Sequence, residues 1–317
     1  MRAPSIAALL LAVAAASCLP APAREGPCIR VAHLGRPGGD PAGFAALRQA
    51  FAAANPGYDV TWHPALELLP PAATARVAFL QAGAGEGVLH TPATGASETT
   101  ALSIGDIVLL RPGQELRGTD GMAALVFMTP VPLPAELPGV VRPDWDPLVT
   151  DTPGGCAEEE GAYRRILLTW LARNGPYVYR GLNAHRVRIA DSFSHYHPAA
   201  GGFDELYLVQ MAPPGARVLT SEQVARIEDP ATVTPEEAAK LLQERSLAAG
   251  DLVYMPRGTM HRGLGGALVQ VISVPGFRPN CEVGLDHHLR AIDDRLGLEG
   301  SAALPYHEAA SSAAVVK

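Results

Sequence analysis

From Arg76 to Pro130 the chain is written in short apolar runs broken by glycine: VAFLQAGAGEGVLHT, TALSIGDIVLLRPGQ and MAALVFMTP. The same pattern returns between Tyr177 and Pro275 as YVYRGL, HRVRIADSF, ELYLVQ, DLVYMP and ALVQVISVPG. Runs of this length cannot make long helices, and their glycine-bounded spacing is that of antiparallel sandwiches or barrels. The chain is therefore read as all-β, with two barrel- or sandwich-forming regions and a few added helices. At 317 residues, 48% of them hydrophobic, it has enough apolar material for two cores. Between the two β regions lies PVPLPAELPGVVRPDWDP, where missing backbone donors hold the chain extended and mark a boundary.

Helical segments are predicted at four places. FAALRQAFAAANPG carries Phe44, Leu47 and Phe51 at helical spacing before Asn55-Pro56-Gly57 stops it. A second helix is expected over Glu158 to Asn174, with Ile166, Leu167, Trp170 and Leu171 on one stripe. Thr234, Pro235 and Glu237 mark a capped start in the insertion before DLVYMP, and Leu285 to Leu298 reads as a terminal helix. The expected organisation is thus a leader at 1–23, a strand and helix extension at 24–75, a first β domain at 76–135, a connector with a helix at 136–176, a second β domain at 177–279, and a helical tail at 280–317.

The leader combines Arg2, the apolar stretch Ile6 to Ala16 and the small residues Ala21-Pro22-Ala23, the pattern of a signal peptide cleaved after Ala23. Cys18, preceded by Ala-Ala-Ser, offers lipidation as the alternative. The expectation is an exported protein, periplasmic or extracellular, with a lipid anchor if Cys18 is modified. Cys28, Cys156 and Cys281 leave room for one bridge and show no paired metal spacing. A net charge of -7 without a basic run gives no footprint for nucleic acid, which favours small-molecule chemistry or protein contact. The loop GRPGGDPAG before the first helix matches neither phosphate-binding fingerprint and reads as a surface turn.

Chemistry concentrates in the second β region. His195 and His197 are two apart, so on a strand both project from one face, about 6 to 7 Å apart. Glu205 opens the next apolar run, with Asp204 as a rival, and His261 follows the Pro256-Arg257-Gly258 turn. Three imidazoles and a carboxylate suit one divalent first-row ion (iron, manganese, nickel or zinc) with positions left for water or substrate. Asp191, Phe193, Tyr207 and Gln270 are further candidates to line the pocket, whereas Arg186 and Arg188 fall on the opposite face and read as surface residues. Asp286-His287-His288 reads as a solvated helix start, and His63 and His90 stand alone as structural histidines.

GDLVYMPRGTMHRG, with Gly250, Pro256, Gly258 and His261 in place, resembles the second signature of the cupin superfamily, and His195, His197 and Glu205 resemble the first. GDIVLLRPGQEL echoes the second signature in the first β region, with Leu116 at the place of His261 and no His-x-His before it. The resemblance covers Tyr177 to Pro275 strongly and Arg76 to Pro130 weakly. It implies a bicupin of jelly-roll barrels whose C-terminal barrel binds one metal through His195, His197, Glu205 and His261 and whose N-terminal barrel is degenerate. The interval from His197 to Glu205 is longer than the family's, so PAAGGFD must loop out. The activity implied is a metal-dependent dioxygenase, isomerase or lyase acting on a small molecule, with Glu205 as catalytic base. The alternative is a non-catalytic metal- or ligand-binding scaffold.

Overall fold

The computed structural model describes residues 28–119, 121–154 and 163–317. The leader with Cys18, Cys156 and the first part of the helix expected from Glu158 lie outside the described residues. The chain begins with β1 (Arg30–His33), α1 (Pro41–Ala54) and β2 (Asp59–His63), then β3 (Leu68–Leu69), β4 (Ala75–Ala82), β5 (Ala84–Thr91) and β6 (Ala96–Ser103). Next come β7 (Ile107–Leu110), β8 (Glu115–Arg117), β9 (Ala123–Thr129) and β10 (Val140–Val141). The second half runs through β11 (Arg164–Leu168), β12 (Asn183–Asp191), β13 (His195–Tyr196), β14 (Asp204–Met211) and β15 (Arg217–Ser221). It ends with α2 (Val224–Ile227), α3 (Pro235–Leu241), β16 (Gln243–Ser246), β17 (Asp251–Met255), β18 (Met260–Val274), β19 (Val283–Gly284) and α4 (Asp286–Leu296).

Two antiparallel sheets, ordered β10-β7-β4-β9-β2 and β3-β8-β5-β6, close the first barrel. Its interior is filled by Ala78, Leu80, Val108, Leu110 and Val126 from one sheet and Leu89, Leu102 and Leu116 from the other. The second barrel is organised around β18, whose first residues pair with β13 and β15 and whose remainder pairs with β12 and β14. Its interior holds Val187, Ile189, Tyr207, Val209, Val253, Val269 and Val271.

Period-2 alternation explains why β4 and β14 are buried almost throughout. Val77 and Phe79 leave the first barrel on the opposite side from Ala78 and Leu80, and Leu206 and Leu208 leave the second. These outer faces meet in a shared core with Leu109, Leu125, Phe127, Leu252, Tyr254 and Ile272. Helix α1 seals it with Leu47 and Phe51, and Phe51 packs edge-to-face on Phe127 at 5.7 Å and on Tyr254 at 5.9 Å. The helix starts where Asp40 accepts from the Gly43 amide and Pro41 occupies the first turn. The segment flanking α1 serves both barrels, since β1 pairs with β17 and β2 with β9.

The helix expected over Glu158 to Asn174 is corrected wherever it is described. Arg164–Leu168 is β11, an edge strand antiparallel to β12, and the chain turns at 172–174. Helix propensity is a weak preference, and the open edge of β12 offers ladder hydrogen bonds that override it. Leu167 enters the shared core, while Leu171, which a helical stripe would bury, is 36% exposed. YVYRGL is also not a strand: it contributes an isolated bridge from Val178 to Thr169 and the buried Tyr179, whose hydroxyl meets Thr129 Oγ1 at 2.8 Å. The other helices stand where the sequence put them, and α3 carries a complete capping box between Thr234 and Glu237.

Candidate metal centre

His195 is held by neighbours on both sides. It pairs across the ladder with His261 and with Gly284, and the Leu285 amide donates to the Ser194 carbonyl at 2.8 Å. Asp286 ties this strand to α4: its carboxylate accepts from the Ser194 amide at 2.7 Å and from the His307 amide at 2.8 Å. Asp286 is therefore fully buried rather than part of a solvated helix start, because its charge is used to cap two backbone donors. After His197 the chain loops through Pro198 to Gly202, closed by a Gly202 to Pro198 hydrogen bond of 3.0 Å, and returns at Phe203. The Gly258 amide donates to the His197 carbonyl at 2.6 Å, with Gly258 at φ +87, a left-handed conformation that glycine adopts without steric cost.

The result is a compact cluster. One ring nitrogen from each of His195, His197 and His261 lies within 4.8 Å of the others, and all three residues are buried. Glu205 Oε1 is 3.1 Å from His261 Nε2, and Glu205 Oε2 is 3.9 Å from His197 Nε2. Phe193 stacks on His195 at 4.4 Å and accepts a hydrogen bond from its Nδ1 through the carbonyl at 3.0 Å, which fixes the ring so that Nε2 is the free nitrogen. Phe203 stacks on His197 at 3.8 Å. Tyr207 lies edge-on to His261 at 5.9 Å and hydrogen-bonds the Glu205 carboxyl.

Burial governs the charges. It pulls His195 and His261 down to about 4 and His197 well below the ordinary imidazole value, so each ring presents a lone pair near neutral pH. Burial also lifts Glu205 to about 7, against the opposing pull of His195 and Tyr207. Among the described residues His197 Nε2 has no hydrogen-bond partner although it is buried. A buried, unpartnered acceptor facing two more imidazoles and a carboxylate is costly unless a cation completes it, and this donor set fits a divalent first-row ion.

The other candidates separate by strand parity. Asp204 points out of the barrel into the core between the two halves, where it accepts from Asn55 Nδ2 at 2.6 Å, Tyr254 OH at 2.7 Å, Arg257 N at 3.0 Å and Arg257 Nε at 2.7 Å. It takes no part in the cluster. Gln270 also faces outward and donates to the Gly105 carbonyl at 2.6 Å, so it does not line the site. Asp191 is exposed and paired with Arg262 at 2.8 Å. Arg188 is exposed as expected, but Arg186 is buried under the connector, donating to Gln210 at 2.6 Å and to Tyr163 OH at 3.0 Å and pairing with Asp144. His63 and His90 are engaged locally, by Thr61 at 3.0 Å and Glu115 at 3.0 Å.

Four residues beside the cluster had little or no sequence signal. A cavity of about 380 Å³ is lined by Glu205 together with Arg164, His185, Thr169 and Glu282. His185 shares the inward parity of Val187 and Ile189, the one clue available in the sequence. Arg164, Thr169 and Glu282 reach the cavity only through the fold, from β11, its end and the segment before β19.

Two antiparallel double-sheet barrels stand in tandem, with a His-x-His strand, a following carboxylate strand and a distant third histidine gathered in the second, the arrangement that the cupin-like signatures of the sequence imply. No protein-family model matches the chain, and no curated protein matches it in sequence. Solved structures with a similar fold include a Lactobacillus farciminis oxalate decarboxylase formate complex, 16% identical, covering 80% of this chain and 88% of that one at a TM-score of 0.45. A Bacillus subtilis oxalate decarboxylase structure concerned with its Mn(II) centres is 14% identical over 83% of this chain and 78% of that one, with a TM-score of 0.42. Vicilin from hazelnut, Corylus avellana, is 10% identical over 68% and 73%, with a TM-score of 0.40.

Proposed function

We propose that the second barrel binds one divalent first-row metal ion through His195, His197, Glu205 and His261, and that the protein is an exported metal-dependent enzyme acting on a small molecule. The observation that carries this reading is the convergence of three buried imidazole nitrogens within 4.8 Å, one of them unpartnered, beside the Glu205 carboxyl. A bound ion would supply Lewis acidity and open coordination positions, the common basis of dioxygenase, isomerase and lyase chemistry. The protein's share is orientation: Phe193 and Phe203 fix two rings, and the ladder pairing of β13 with β18 fixes the third. Of the four proposed ligands Glu205 alone lines the cavity, so its carboxylate is the group placed to take a proton from a bound substrate.

Elemental analysis of protein purified without added metal should give one equivalent per chain, and His261→Ala should strip most of it. Two equivalents, or full retention in that variant, would refute the assignment. Turnover of no compound in a mass-spectrometric screen by the metal-loaded protein would favour the non-catalytic binding protein. Export rests on Arg2, Ile6 to Ala16 and Ala21 to Ala23, and intact-mass measurement of the mature chain tests it.

A further inference from the structure

The cavity that opens on Glu205 is small, about 380 Å³, toward the lower end of the roughly 300–1,000 Å³ usual for small-molecule sites. Its walls are of two kinds. Trp170 and Phe277 stack with centroids 4.3 Å apart and planes 22° apart, giving a flat apolar surface. Phe277 in turn lies 5.3 Å from Phe203, the ring that stacks on His197, so the aromatic wall runs from the cavity to the histidine cluster. The remaining wall is charged and polar. Arg164, Arg173 and Lys317 line it against two carboxylates, Glu205 and Glu282. The balance is positive even before a metal adds its own charge.

Two of these groups are ready to receive a ligand. Arg173 has no hydrogen-bond or ion-pair partner among the described residues, and it stands three residues from Trp170, on the turn that leads away from the aromatic wall. Thr169 is 1% exposed, and its hydroxyl, buried in the same wall, has no partner among the described residues. An unsatisfied buried hydroxyl is a cost that a ligand's polar group can remove. A guanidinium beside a flat aromatic surface matches a planar carboxylate, because the fork geometry of arginine pairs with both carboxylate oxygens while the ring face takes the body.

We propose that this cavity receives a small planar carboxylate, an aromatic or conjugated acid, whose body rests on the Trp170 and Phe277 stack and whose anionic end is held by Arg164 and Arg173. This deepens the metal-enzyme reading and rests on it for the chemistry, since the same cavity ends at Glu205. The bound acid presents a second polar substituent to the Thr169 hydroxyl and lies with its far edge toward the histidine cluster.

The test uses the full chain with the metal it carries and three probes, benzoate, benzamide and acetate, titrated calorimetrically. Benzoate should bind about tenfold or more tightly than benzamide, the factor expected from one charge-assisted hydrogen-bonded contact, and more tightly than acetate, which lacks the ring that rests on the aromatic wall. Arg173→Ala and Arg164→Gln should each weaken benzoate by about tenfold and leave benzamide unchanged, whereas Arg36→Ala, far from the cavity, should change neither. Arg173 is exposed, so its variant tests the proposal even if the Arg164 variant folds poorly. Equal binding of benzoate and benzamide, wild-type benzoate affinity in Arg173→Ala, or no benzoate binding up to about 10 mM would overturn the proposal. Acetate binding as tightly as benzoate would overturn its planar part. Metal content measured on the same samples separates the two readings: metal retained without benzoate binding removes this inference alone, and benzoate binding to a chain that holds no metal removes the enzyme reading alone.

Discussion

Asp204 and Glu205 are adjacent carboxylates with opposite fates, because successive side chains of a strand face opposite sides. Glu205 enters the histidine cluster, while Asp204 collects four donors from Asn55, Tyr254 and Arg257 in the core between the barrels. Burial and the neighbouring Asp204 hold the Tyr254 hydroxyl protonated. Asp204→Asn removes a charge-assisted acceptor and leaves Arg257 without its counter-ion, so it should cost about 2–4 kcal/mol in urea unfolding. Glu205→Gln should instead leave stability nearly intact and lower metal content and turnover. The reverse pattern would mean that the ligand has been misassigned. A pH dependence belongs to the same scale. His195 and His261 titrate near 4 in the folded metal-free chain and near 6.5 unfolded, so their contribution is full above pH 6.5 and is lost as pH falls toward 4. His197 moves in the same direction, whereas Glu205, raised from 4.5 to about 7, contributes fully below 4.5 and loses that contribution as pH rises through 7. Three imidazoles outweigh one carboxyl, so in chelator the protein should lose stability from pH 7 to 4.5. A rise in the urea midpoint over that interval would contradict the assignment of these groups as buried and neutral.

The long strand β18 is the element on which the site depends. It pairs with β13 at Met260 and His261, with β15 from Met260 to Leu264, with β12 at Leu264 and again from Ala267, and with β14 from Leu268, and the register is broken at Gly265 and Gly266, both at φ +82. A Cβ on Gly265 would stand 2.5 Å from the Gly215 carbonyl oxygen, so neither the conformation nor the space admits a side chain. Gly265→Ala should therefore destabilise by about 1–3 kcal/mol. Because the strain falls four residues from His261 on the same strand, it should also lower metal occupancy, read by melting temperature and elemental analysis together. Elements whose pattern is local were legible: α1, α3 and α4 carry caps and helical spacing that need no partner, and β14 and β17 are short apolar runs bounded by turn residues. The strand β11 was not, since Arg-Arg-Ile-Leu-Leu suits a helix as well as a strand and only the free edge of β12 decides between them.

At the scale of the molecule the two barrels share one core. Phe79, Phe127 and Leu125 from the first meet Leu206, Leu252 and Tyr254 from the second, with Phe51 of α1 between them. Neither barrel can expose that face to water without losing burial worth about 1.5–3 kcal/mol for each large apolar side chain. The chain should therefore unfold in one transition, with Trp62 of the first barrel and Trp170 beside the second reporting the same midpoint in variants that keep one tryptophan each. Phe127→Ala, which removes a fully buried ring in edge-to-face contact with Phe51 and Phe79, should lower both midpoints together by about 3–5 kcal/mol of stability. Separate midpoints, or a loss confined to Trp62, would show that the barrels fold independently.

The sequence by itself determined the all-β class, the two strand-rich halves and the three histidines that gather in the second, because strand periodicity and Pro-Gly turns are local and His195, His197 and His261 advertise themselves by spacing. It also left Asp204 and Glu205 as rivals, read Arg186 as a surface residue and carried no sign of Arg164, Thr169 or Glu282. Those questions turn on which surface covers each strand face. The connector that carries Asp144 buries Arg186, the α1 segment that carries Asn55 claims Asp204, and β11 and the segment before β19 bring Arg164 and Glu282 to one cavity. Tertiary structure alone decided them, since a side chain's environment is set by residues far away in the chain that no local period encodes.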